Sequence, residues 1–299
     1  MRLLLVTNPA AARTQPQVVQ GIVDLLRDAG WSTEVAATAG PGDARRLAAE
    51  GVAEGVGVVA VFGGDGTTMQ AASALVGTDV ALGVIPGGTG NLLAGNLRIP
   101  AAPLRAAQVL ARGRRKRLDL GRVERDDGIH YFAVAGGAGY DARVMVETPL
   151  EQKRRWGMVA YAATTLRLLH ELRSTTYHIT VDGHELEAHA ALVLVANCAE
   201  VIPPFIKFRR DVRPDDGLLD VIVLRADTLG QSVRAIWDLL REAEGGAGRA
   251  LVGFARGAEV TVEAFPAQPV EFDGDGAGWT PFTATVVPGA VEVIVPEGT

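Results

Sequence analysis

Two glycine-rich turns, Gly63-Gly64-Asp65-Gly66-Thr67 and Pro86-Gly87-Gly88-Thr89-Gly90-Asn91, each follow directly on a short apolar run, Val58 to Phe62 and Ala81 to Ile85. Apolar runs without polar alternation predict strands buried on both faces, the habit of a parallel sheet covered by helices. Helical spacing resumes after the first turn and runs through about Leu75. Glycine lets the backbone come close to an anion, and a following helix N-terminus adds about half a positive charge. One such turn is ordinary punctuation. Two of them, one strand–helix unit apart at the carboxyl ends of neighbouring strands, point to a phosphate-bearing ligand.

The flanking sequence supports the same sheet. Leu3 to Thr7 reads as a buried strand ended by Asn8-Pro9, and Val18, Ile22, Leu25 and Leu26 then recur at helical spacing. Ser32 to Thr38 reads as a second strand, and Gly42-Asp43 caps a second helix. The character changes near Arg112, where Gly113-Arg114-Arg115-Lys116-Arg117 forms a basic run. That run reads as a solvated inter-domain connector or as a contact for phosphate or anionic lipid. Strand-like segments dominate beyond it: Leu118 to Val123, His130 to Val134, Tyr177 to Val181, Ala191 to Val195, Leu218 to Leu224, Glu259 to Ala264, Val270 to Asp273, Thr283 to Val287 and Val291 to Val295. Helices are expected at about Gly157 to Leu172 and Leu229 to Ala243. The fold class expected is therefore α/β plus β: a Rossmann-like parallel-sheet domain over residues 1–117, then a mostly antiparallel β domain over 118–287.

Composition excludes several classes. A net charge of −6 disfavours a nucleic-acid partner. The single cysteine, Cys198, follows a strand-like run and reads as a core residue in a reducing, cytoplasmic compartment. The chain has no apolar stretch long enough to span a bilayer, so membrane contact would be peripheral. Arg154, Arg155, Trp156 and Tyr161 open a helix that either packs on its own sheet or rests on a membrane surface. The five histidines are scattered without metal-ligand spacing, which argues against a zinc enzyme. There is no P-loop, no dinucleotide fingerprint after the first strand and no nucleophile elbow.

Val61-Phe62-Gly63-Gly64-Asp65-Gly66-Thr67 resembles the GGDGT signature shared by diacylglycerol and sphingosine kinases, NAD kinases and phosphofructokinases. Asn8-Pro9, the Pro86–Asn91 loop, Asp119 in Leu118-Asp119-Leu120-Gly121, Asp216-Gly217-Leu218-Leu219-Asp220 and Phe272-Asp273-Gly274-Asp275 resemble further stretches of the bacterial lipid-kinase group, in the same order. The resemblance implies ATP and Mg²⁺ in a cleft between two domains, with about residues 288–299 returning to the first. It implies that Asn8, Thr38, Gly63, Gly64, Asp65, Gly66, Thr67, Thr68, Gly88, Thr89 and Asn91 surround the nucleotide. Asp65 would act near the phosphates, together with Asp119, or would simply cap a turn.

The same resemblance makes Asp275 the catalytic base, in place of the family's glutamate, with Asp273 as the substitute. The plain alternative is a hairpin turn at Asp273-Gly274-Asp275-Gly276. A Mg²⁺ is implied at Asp216 with the carbonyls of Arg213 and Leu218, unless Asp216-Gly217 is an ordinary turn. Leu92 stands where many lipid kinases have aspartate, and Gln70 where glutamate is common. The expected partner is a membrane-derived lipid acceptor, and an exposed edge strand would offer a homodimer surface. Two other functions stay open: an NAD kinase-like enzyme, although no G-T-S-T-A-Y type motif occurs, and a nucleotide- or lipid-binding regulator with reduced catalysis.

Overall fold

A computed structural model of the chain describes residues 1–139, 174–202, 206–207, 212–225, 231 and 251–298. The helices expected at about 157–172 and 229–243, with the Arg154–Tyr161 stretch, lie outside the described residues, apart from residue 231. The chain divides into two compact units, Met1–Leu118 with Gly289–Thr299, and Asp119–Pro288.

The first unit runs β1 (Arg2–Thr7), α1 (Pro16–Asp28), β2 (Ser32–Ala37), α2 (Asp43–Ala53), β3 (Val58–Gly63), α3 (Asp65–Leu75), β4 (Ala81–Pro86), α4 (Leu92–Asn96), α5 (Pro103–Arg112) and the start of β5 (Arg114–Arg125). Its strands pair in parallel in the order β2-β1-β3-β4. Every residue of β3 and β4 is buried, as their unbroken apolar sequence requires. Right-handed crossovers place α1 on one face and α2 and α3 on the other. α1 buries Ile22, Val23 and Leu26, and α5 buries Ala106, Ala107 and Leu110. The basic run is the beginning of β5, directly ahead of the boundary between the two units, and there Arg115 pairs with Glu292 at 2.9 Å and donates to the carbonyls of Asp79 and Gly57.

The second unit continues with β6 (Gly128–Phe132), β7 (Ala135–Gly139), β8 (Thr175–Val181), β9 (His184–Ala190), β10 (Leu192–Ala196), β11 (Glu200–Ile202), β12 (Ile206–Lys207), β13 (Leu219–Leu224), β14 (Val252–Gly257), β15 (Glu259–Phe265), β16 (Pro269–Phe272), β17 (Asp275–Trp279) and β18 (Phe282–Val295). One antiparallel sheet has the order β14-β13-β10-β7-β16-β17. Elsewhere β15 pairs with β18 and β8, and β8 pairs with β9, all antiparallel. β18 is one strand where the sequence suggests two. It passes through Pro288-Gly289, with Gly289 at φ 57°, and its far end places Val293 beside Leu82 of β4. Among the described residues, no helix is long and apolar enough to cross a membrane.

β7, Ala135-Gly136-Gly137-Ala138-Gly139, carries no side-chain pattern that marks a strand, yet every one of its residues is buried. A Cβ on Gly136 would come within 2.5 Å of Phe272, and one on Gly121 would strike the ring of Phe132. Phe132 stacks on Phe272 at 5.6 Å, and Phe272 meets Phe282 edge-on at 5.6 Å. These rings join Tyr177, Ile179, Val195 and Val221 in one buried cluster. Phe132→Ala is therefore expected to cost about 3–5 kcal/mol of stability, read as a lower urea midpoint with an unchanged slope.

Candidate active site

In the first sheet the strand order reverses between β1, which leads outward to β2, and β3, which leads on to β4. In open parallel sheets the carboxyl edge at such a reversal is where ligands bind. The two strand ends are tied there: Asn8 donates its backbone N–H to the Phe62 carbonyl at 3.0 Å and its Nδ2 to Thr67 Oγ1 at 2.9 Å. Asn8 Oδ1 accepts the N–H of Ala10, so this one side chain orients both the β1–α1 loop and the first turn of α3. Thr38 joins the same edge through its N–H, which donates to the Thr7 carbonyl at 2.9 Å.

The first glycine turn is shorter than its sequence suggests, because α3 already begins at Asp65. Gly64 is its N-cap in extended conformation, and no side chain caps that end. Thr68 Oγ1 donates to the Gly64 carbonyl at 3.0 Å and is buried. The opening N–H groups of an uncapped helix are the donors that an anion satisfies.

The second glycine turn lies directly against the first. Gly87 and Gly88 both donate to the Gly63 carbonyl, at 2.8 and 3.1 Å. A Cβ on Gly88 would stand 2.6 Å from the Gly64 Cα. These glycines thus serve backbone-to-backbone approach, and the N–H groups of Gly87 and Gly88 point into the loops rather than toward a ligand. Asn91, at φ 50°, closes the turn: its Oδ1 accepts the Gly88 N–H at 3.0 Å and its Nδ2 donates to the Gly88 carbonyl at 2.8 Å. Thr89 is exposed at the tip of this turn. Arg13 escapes sequence inspection, yet its N–H donates to the Gly87 carbonyl at 3.2 Å and its guanidinium to the Ala101 carbonyl at 2.9 Å.

Asp65 couples the two turns. Its carboxylate receives the N–H groups of Leu93, Leu92 and Asn91 at the start of α4. Burial nevertheless pushes its pKa above the ordinary aspartate range, and those N–H groups oppose the shift without cancelling it.

In the second unit, Asp273 and Gly274 form the turn between β16 and β17, with φ of 49° and 88°. Asp273 accepts three backbone N–H groups, from Ala133 at 2.7 Å, Val134 at 2.9 Å and Ala135 at 3.0 Å. Glu271, unremarked in the sequence although it interrupts an apolar run, is buried and accepts the Gly274 N–H at 2.6 Å. Both carboxylates brace the hairpin. Asp275 opens β17 and is exposed. Asp119 is buried and accepts the Gly217 N–H at 2.7 Å, and its carbonyl and that of Ala133 both receive Asn197 Nδ2, at 2.9 Å each. Cys198 is buried against the Ala133 carbonyl. Asp216 Oδ1 accepts the Leu218 N–H at 3.2 Å, its Oδ2 lies 3.6 Å from Arg256, and Arg213 pairs with Asp215 at 3.3 Å. Among the described residues, no group of three or more His, Cys, Asp or Glu side chains is placed to hold a metal ion.

Comparison with known proteins gives consistent matches. The model of the diacylglycerol kinase catalytic domain matches residues 2–123, and that of the YegS C-terminal NAD kinase beta sandwich-like domain matches residues 134–295. A diacylglycerol kinase of Mycobacterium tuberculosis (strain ATCC 25618 / H37Rv) is 30% identical, covering 99% of this chain and 96% of that protein. A Xanthomonas campestris pv. campestris (strain 8004) protein named "Probable lipid kinase YegS-like" is 31% identical over 71% of each chain. A crystal structure from Bacillus anthracis str. Sterne, described provisionally as a diacylglycerol kinase, superposes with a TM-score of 0.82 at 26% identity, covering 100% of this chain and 98% of that one.

Gly88→Ala is expected to force the two glycine turns apart, costing about 1–3 kcal/mol, measured by thermal melts. Asp65→Asn keeps an acceptor for the α4 N–H groups and removes a disfavoured charge. A carboxyl with a raised folded-state pKa loses stability as pH rises through that pKa. The variant should thus match or exceed the native chain in thermal stability at pH 7, with the difference closing as pH falls toward about 4.

Proposed function

The chain belongs to the diacylglycerol kinase catalytic-domain family, and on that premise we propose that it transfers the γ-phosphoryl group of ATP, carried with Mg²⁺, to the hydroxyl of diacylglycerol or a closely related amphiphilic alcohol. The observation that carries the proposal is the uncapped N-terminus of α3 at the reversal of strand order, flanked by two glycine turns in backbone contact. Phosphate oxygens receive the opening N–H groups of α3, and the threonine hydroxyls of Thr38, Thr67 and Thr89 supply further polar contacts. Asn8 holds Thr67 in place for that task. Mg²⁺, when bound with the nucleotide, neutralises charge on the phosphates, and Asp65 is the carboxylate of this unit suited to its water shell.

Phosphoryl transfer then requires a base. In our reading Asp275 accepts the hydroxyl proton as the acceptor oxygen bonds to the γ-phosphorus and the bond to the β-phosphate oxygen breaks, releasing ADP. Asp275 is exposed at the start of β17, where an acceptor hydroxyl can reach its carboxylate. Aspartate is one methylene shorter than the glutamate of relatives, about 1.5 Å of reach, so the rigid bracing of the hairpin matters to its position. The acceptor is met at the membrane surface by peripheral contact.

The test is transfer of labelled γ-phosphate from Mg–ATP to diacylglycerol, sphingosine, ceramide, undecaprenol and NAD. Label is expected on a lipid. Asp275→Asn should lower kcat by about a hundredfold or more with little change in KM for ATP, while Asp275→Glu retains activity. Full activity of Asp275→Asn would remove it as the base. Label on NAD would move the chain to the NAD kinases, and ATP binding without transfer to any acceptor would favour a regulator.

A further inference from the structure

The resemblance places a Mg²⁺ at Asp216, held also by the carbonyls of Arg213 and Leu218. The surroundings of Asp216 already contain a cation. Arg256 and Asp220 are direct cross-strand partners on β14 and β13, so their side chains leave the sheet on the same face. Arg256 Nε and Nη2 donate to the two oxygens of Asp220 at 3.0 Å each, a bidentate pair. Its Nη1 lies 3.6 Å from Asp216 Oδ2. The other oxygen of Asp216 accepts the Leu218 N–H. One guanidinium thus serves two carboxylates, and both oxygens of Asp216 already face donors. A dication on Oδ2 would sit against the guanidinium, and Mg²⁺ tolerates neither displaced ligands nor easy loss of its waters.

We infer that Arg256 is the cation that fixes the Asp216–Asp220 turn to the sheet of the second unit, in place of a bound divalent ion. The planar fork suits this role because two of its nitrogens are occupied by one carboxylate and a third reaches the next. A cation built into the chain cannot be chelated away, so this corner should be indifferent to divalent ions. The inference is independent of which acceptor the enzyme uses.

The test uses the whole chain without nucleotide. Thermal melts in excess EDTA and in millimolar Mg²⁺ are expected to coincide within a degree. Mn²⁺ titration followed by electron paramagnetic resonance should reveal no tight site that Asp216→Asn abolishes. Arg256→Met should lower the melting temperature by about 5 °C or more, because it takes the guanidinium from buried Asp220 and from part-buried Asp216. A clear fall in the native chain's melting temperature in EDTA, restored by Mg²⁺, would overturn the inference, as would a Mn²⁺ site lost in Asp216→Asn. If Arg256→Met does not fold, the melts of the native chain still decide.

Discussion

The contact between two stretches of bare backbone sets the geometry of the phosphate edge. The Gly63 carbonyl receives the N–H groups of both Gly87 and Gly88, and Gly88 stands so close to Gly64 that a methyl group would not fit. That approach brings the end of β4 beside the start of α3. It also brings the α4 N-terminus within reach of Asp65 and lets Asn91 clamp its own turn. The glycines are needed chiefly so that one loop can meet the other. The helix end left uncapped beside them is the part that the proposed function assigns to phosphate.

Carboxylates in the second unit follow a common rule. A buried negative charge is tolerated when backbone N–H groups or an arginine meet it. Asp273 has three such N–H groups, Asp119 takes the Gly217 N–H, Glu271 takes the Gly274 N–H, and Asp220 has the fork of Arg256. These groups hold turns to strands. They fix the hairpin that presents Asp275 and pin the Asp216–Asp220 turn.

In the proposed mechanism the first unit supplies donors for a polyanion, from an uncapped helix and threonine hydroxyls, and the second supplies a carboxylate to accept a proton from an alcohol. Phosphoryl transfer asks for charge stabilisation and positioning more than for covalent participation.

The parallel sheet was legible in the sequence because unbroken apolar runs such as Val58 to Phe62 leave a strand few alternatives to full burial. The glycine turns and their chain order were equally visible, since they are local. β7 was not, because three of its five residues are glycines with no side-chain pattern, and the space over Gly136 is filled by the ring of Phe272, far along the chain. Nor was the basic run legible as a strand, for its partner Glu292 is 177 positions away from Arg115. The sequence by itself determined which residues are apolar, which turns lack side chains and where carboxylates stand. Tertiary structure alone decided which carboxylates are occupied: Asp65 by α4, Asp273 by residues about 140 positions earlier, Asp216 and Asp220 by Arg256. The reason is physical. Burial and hydrogen-bond partners belong to neighbours in space, and pairing across sheets sets those neighbours at sequence distances no local pattern encodes.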